Sequence, residues 1–169
     1  MGKVIGILVM LSACSSAVSQ NLQQEINEQV WRVQLAAMKE NNSAKFMTVM
    51  SDDVVQVSYD RQMIRDKTGF EKQAAQTYAR MKERQLARTM EFRFLNRIAN
   101  NTLAFEDGFY KFELISENLE KKVFYGYFQV TLRKENNIWK VLVDYDSENY
   151  KGVTANEEMF NKARAMESY

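Results

Sequence analysis

What most constrains this chain is a change of hydrophobic period. Near residue 84 the apolar residues stop recurring every three or four positions and begin to alternate, and they do so for about sixty residues. Such alternation requires several long strands with one buried and one open face. Met90, Phe92, Phe94 and Ile98 alternate with Glu91, Arg93 and Arg97. Leu103 to Ile115 continues the sheet across Asp107-Gly108, where glycine signals a bulge or bend. Val123 to Arg133 puts Phe124, Phe128, Val130 and Leu132 on one side. Glu135-Asn136-Asn137 then turns the chain into a last strand, with Trp139, Val141, Val143 and Tyr145 expected to share a face and Asp144 and Asp146 to point the other way, to solvent or a dimer contact.

Upstream the period is helical. Leu22, Ile26, Val30, Val33 and Ala37 mark a first helix to about Lys39, with Trp31, Leu35 and Met38 widening its stripe, Asn21 and Gln24 capping it and Asn41-Asn42 ending it. A shorter helix is predicted over 43–50, a break at Ser51-Asp52-Asp53, a strand over 54–59 and a charged loop over 60–67. Thr68-Gly69-Phe70-Glu71 signals a third helix, running to about Arg84. Helices first and a long meander afterwards is the order of an α+β fold, with three N-terminal helices packed on a strongly curved, mainly antiparallel sheet. The tail, 151–169, returns to helical spacing, with Thr154 and Glu157 as a capping box and Phe160 as the residue that separates docking from fraying.

The N-terminus reads as an export signal. Lys3 precedes the apolar stretch Val4 to Leu11, too short to span a bilayer, and Leu11-Ser12-Ala13-Cys14 resembles a bacterial lipobox. On this reading residues 1–13 are the signal segment, Cys14 is the lipidation site, 14–21 is a tether and 22–150 is the domain. The mature chain is then a lipoprotein anchored in the bacterial cell envelope. The competing reading is cleavage after Ala17-Val18-Ser19, releasing a periplasmic or secreted protein that begins at Gln20.

Composition narrows the chemistry. The 169 residues include no histidine and a single cysteine, which disfavours zinc sites and Ser-His-Asp catalysis, and neither a metal nor another cofactor is expected. Lys plus Arg number 23 against 22 Asp plus Glu, so there is no general field to hold nucleic acid, and the membrane is met through the lipid anchor only.

The helix, the Ser51-Asp52-Asp53 turn, the short strand, the Gly69-started helix, Asp107-Gly108-Phe109-Tyr110 and Trp139 to Asp144 together, in this order and spacing, resemble the nuclear transport factor 2-like superfamily, in its SnoaL-like branch of small exported domains. The resemblance covers about residues 22 to 147 and implies a cone: a bent sheet around a pocket, closed by the first helix, often in a homodimer through the sheet. It also implies where catalytic groups of the isomerase members would fall, namely Gln34, Ser58 and Gly126, and none has the required side chain. Asp53, Arg61 and Asp144 offer the residue types of the epoxide hydrolase members. The pocket is expected to draw its wall from Trp31, Tyr59, Tyr110, Phe112, Phe128, Val143 and Tyr145 and to suit a small hydrophobic molecule. With no catalytic residue assigned, the leading expectation is a non-catalytic binding or accessory domain. The alternatives are a small enzyme using carboxylate or tyrosine acid-base chemistry and a structural protein with a closed core.

Overall fold

The computed structural model describes residues 20–116 and 120–168; Cys14, the leader and the Ser19 cleavage point lie outside the described residues. The first helix covers 20–39 and contains one wide π turn, Asn27–Trp31, before the regular stretch Arg32–Lys39. Its stop is the expected one: Asn41 takes a positive φ of 52°, which asparagine tolerates. The side chain of Asn42 then caps the second helix, Ser43–Met47, by accepting from the Lys45 N–H at 2.9 Å.

The second helix is shorter than predicted because Met50 already belongs to strand β1, Met50–Ser58, which runs through the expected Ser-Asp-Asp break. Ser51 makes this feasible by accepting the Asp53 N–H with its own hydroxyl while the pairing to the neighbouring strand slips between Met50 and Val55. The predicted loop over 60–67 holds a short strand β2, Met63–Arg65, which folds back on β1. The third helix, Lys67–Glu83, is capped by Asp66 accepting from Gly69 N–H at 2.8 Å, so it starts ahead of the Thr68 signal.

Four long strands follow: β3 Ala87–Ala99, β4 Leu103–Ile115, β5 Lys121–Glu135 and β6 Ile138–Ser147. They are antiparallel neighbours, and β6 also pairs in parallel with β1, giving the order β2-β1-β6-β5-β4-β3 with a short ninth strand, Arg164–Ala165, at the far edge. Asn136 and Asn137, both at positive φ, make the β5–β6 hairpin turn. The helices fill the concave side of this sheet, and Trp31, Phe94, Leu132, Trp139 and Val141 are the fully buried centre of the core.

The convex side has a covering of its own. A small hairpin, β7 Asn149–Tyr150 with β8 Val153–Thr154, leads to a helix over Glu157–Lys162, capped by Asn156 rather than Thr154. Phe160 is 2% exposed, packed near Tyr125 and beneath the Arg93 guanidinium, so this part of the tail is docked. No helix among the described residues is long and apolar enough to cross a membrane.

Candidate functional site

Two bulges decide what faces the inside of the cone. On β3 the pairing to β4 jumps from Phe94 to Asn96, leaving Leu95 as an extra residue, and on β6 the pairing to β5 jumps from Val141 to Val143, leaving Leu142 extra. An extra residue reverses the alternation beyond it. Arg97 thus takes the buried position expected for Ile98, which is 67% exposed. On β6, Asp144 and Asp146 turn into the concave face, opposite Val130 and Phe128, while Val143 and Tyr145 turn out of it.

The helices and sheet leave a cavity of about 300 Å³ unfilled, large enough for a small organic molecule. Trp31, Tyr110, Phe112 and Phe128 line it. Tyr59, Val143 and Tyr145 do not: Tyr59 is 54% exposed, and its ring meets Tyr145 on the convex side at 6.0 Å. Both corrections on β6 follow from the Leu142 bulge, and Tyr59 points outward because Gln56 and Ser58, at even spacing, point in.

Trp31 is held rather than merely buried. Its ring lies 4.6, 5.4 and 5.3 Å from those of Phe92, Phe94 and Phe128, and its Nε1–H donates to Glu106 Oε2 at 2.6 Å. Glu106 in turn pairs with Arg97 at 2.7 Å, and Arg97 donates to Asn27 Oδ1 at 2.8 Å. The π turn of the first helix spans Asn27 to Trp31, so the wide turn sits where both side chains must reach this buried network. Burial pushes the Glu106 carboxyl up, and the Arg97 charge and the Trp31 and Arg97 hydrogen bonds oppose that push.

The two aspartates differ in environment. Asp146 accepts from Gln56 Nε2 at 3.1 Å and Ser58 Oγ at 3.3 Å, and Gln56 is itself fixed by Arg65 Nη1 at 2.7 Å. Its pKa is raised by burial, with the Ser58 and Gln56 bonds and the Arg61 charge pulling it back down. Asp144 has no hydrogen-bond or ionic partner among the described residues. It faces the cavity at intermediate exposure, and desolvation of the carboxyl, helped by the neighbouring Asp146 charge, pushes its pKa up to about 7. Across the cavity, the Tyr110 ring occupies the space a side chain at Gly126 would need: a Cβ there would lie 2.2 Å from the Tyr110 hydroxyl. Burial, followed by the Asp146, Glu148 and Asp60 charges, keeps that phenol protonated.

Gln34 and Ser58, two of the positions where isomerase groups would fall, line the cavity, and the third, Gly126, is filled by Tyr110. The Asp53, Arg61 and Asp144 set is not assembled: Arg61 and Asp144 line the cavity, whereas Asp53 is bound to Arg133 at 2.7 Å on an exposed surface. Alternation alone missed Asp144 and Asp146; the only trace of the bulge is the unbroken apolar run Val141-Leu142-Val143. Among the described residues no cluster of three acidic or cysteine groups is placed to hold a metal ion.

No family model matches the chain, and no curated protein matches it. Solved structures do. A nuclear transport factor 2-like superfamily protein from Salmonella enterica serovar Typhimurium LT2 superposes with a TM-score of 0.57 at 14% identity, covering 81% of this chain and 94% of that one. An NTF-2 like protein of unknown function from Shewanella oneidensis MR-1 gives 0.56 at 17% identity over 73% of this chain and 97% of its own. Aln2 from a Streptomyces species gives 0.64 at 12% identity, covering 75% and 90%. At these identities the likeness is one of architecture, and it agrees with the order of helices, strands and cavity just described: the chain has the nuclear transport factor 2-like fold.

Proposed function

We propose that the domain binds a small, largely apolar molecule in the cone and moves a proton on it through Asp144. The observation that carries this reading is an unpartnered carboxyl facing a cavity whose lining includes Trp31, Phe112, Phe128 and Val130. A carboxyl with a pKa near 7 is divided between its acid and base forms at neutral pH, the condition under which one group can both take and return a proton. Asp146, held by two hydrogen bonds, and the protonated Tyr110, a neutral donor, are polar groups on the same cavity wall.

A generic proton-transfer probe tests this without knowledge of the natural substrate. 5-Nitrobenzisoxazole opens when a base removes one ring proton, and a carboxylate in an apolar site is sufficient for that step. The protein should accelerate the opening above buffer, with a rate that rises through the pKa of Asp144, and Asp144→Asn should lose roughly 10²-fold or more. Binding of the probe with no acceleration would instead make the cone a binding module.

We also propose that the mature chain is anchored through a lipid on Cys14. Support comes from the position of the only cysteine directly after Leu11-Ser12-Ala13. Intact mass of the protein from its native membrane fraction should show an acylated N-terminal Cys14, and a chain beginning at Gln20 without lipid would contradict the anchor.

A further inference from the structure

At the end of the cavity bounded by β3 stands Arg88, 7% exposed and among the residues lining the cavity. Its Nε donates to the Met38 carbonyl at 3.3 Å, and its guanidinium lies 3.7 Å from the centre of the Tyr78 ring. Its Nη2 is buried with no partner, as is the hydroxyl of Tyr78. Burial pushes that phenol up to about 12 against the opposing pull of the Arg88 charge and of its contact with Arg88, so it stays neutral and supplies no counter-charge. No carboxylate pairs with Arg88 among the described residues. The other two arginines of the cavity differ: Arg65 is spent on Gln56, and Arg61 is exposed, with its charge facing Asp146.

A guanidinium cannot shed its proton, so burying it without an anion leaves a charge and a donor uncompensated. Stacking on Tyr78 offsets part of that penalty. Burial nonetheless disfavours the charged form of Arg88. What would complete the site is an acceptor with a negative charge, brought by whatever occupies the cavity.

Building on the reading of the cone as a binding site, we propose that the cavity takes a small aromatic acid, its carboxylate on Arg88 and its ring against the aromatic side chains of the wall. Two features fit that class. The cavity wall carries Trp31, Phe92, Phe112 and Phe128, suited to a flat ring. A guanidinium fork also matches a carboxylate in shape, which a point charge would not require.

Calorimetric titration with 3-phenylpropionate and 3-phenylpropan-1-ol at pH 7.5 separates the claims, since the two probes share a carbon skeleton and differ in charge. The acid should bind at least tenfold more tightly than the alcohol, as expected for one charge-assisted bond in a buried setting. Arg88→Leu should erase the difference between acid and alcohol, and Arg88→Lys should keep part of it. If Arg88→Leu fails to fold, the acid-to-alcohol ratio of the unmodified protein and of Arg88→Lys decides. Equal affinity for the two probes, or an acid preference untouched in Arg88→Leu, would overturn the assignment of Arg88 while leaving the cone a binding site. Failure of both probes to bind at millimolar concentration would overturn both.

Discussion

Asp144 is the residue on which the functional reading turns, and its placement has a stability consequence. In the unfolded chain an aspartate ionises near pH 3.9, while in the fold this one holds its proton to about pH 7. Between those values the unfolded state releases a proton that the native state keeps, so the native state loses stability as pH rises, and the loss is complete only above the folded pKa. Asp144→Asn removes the titrating group. It should therefore change stability little at pH 4 and raise it by up to about 4 kcal/mol at pH 8, read from denaturant midpoints at the two pH values. A benefit that does not grow with pH would show that Asp144 is solvated. The residue scale is also where the sequence was least legible. Trp31, Tyr110, Phe112 and Phe128 could be assigned to the cavity because aromatic residues on a buried face have few other places to go. The aspartates could not, because their orientation depends on one unpaired residue, Leu142, that leaves periodicity intact on either side of it.

At the scale of elements, the four long strands, the three helices and the helical spacing of the tail were legible from period and caps, whereas the docking of the tail, bounds and breaks depended on single side chains. Ser51 lets β1 run through an acidic break, and Asp66 and Asn156 take the capping roles assigned to Thr68 and Thr154. Gly108 shows how tightly the bulged region of β3 and β4 is built. A Cβ there would lie 1.9 Å from the Arg93 carbonyl oxygen and 2.8 Å from the Phe94 Cα, both backbone atoms that cannot swing aside. Gly108→Ala should therefore destabilise by about 3 kcal/mol or more, the upper end for inserting a methyl into a packed site. A loss below about 0.5 kcal/mol in chemical denaturation would mean that β3 and β4 are more separated than described. The tail makes a second prediction at this scale. A six-residue helix has no stability of its own, so amide protection over Glu157–Lys162 depends on Phe160. Phe160→Ser should abolish that protection in hydrogen exchange, and protection equal to that of the unmodified protein would show that the rest of the segment holds it in place.

For the molecule as a whole, the sheet curves because its strands are long and bulged, the helices close over the concave side, and the space between them is not fully packed. Trp31, tied through Glu106 and Arg97 to β3 and β4, fixes the first helix over that space. The outcome is a chamber with an aromatic wall, carboxylates on one strand and a guanidinium without a carboxylate partner on another, which the fold positions but does not neutralise. The central claim is that the β6 carboxyl at position 144 is held close to half-protonated at neutral pH inside this chamber. Carboxyl ¹³C chemical shifts followed against pH, with the Asp144→Asn protein used for assignment, measure it directly. The account predicts one aspartate resonance titrating with a midpoint near 7 and missing from Asp144→Asn. An Asp144 resonance titrating near pH 4, like an ordinary solvated aspartate, would contradict it.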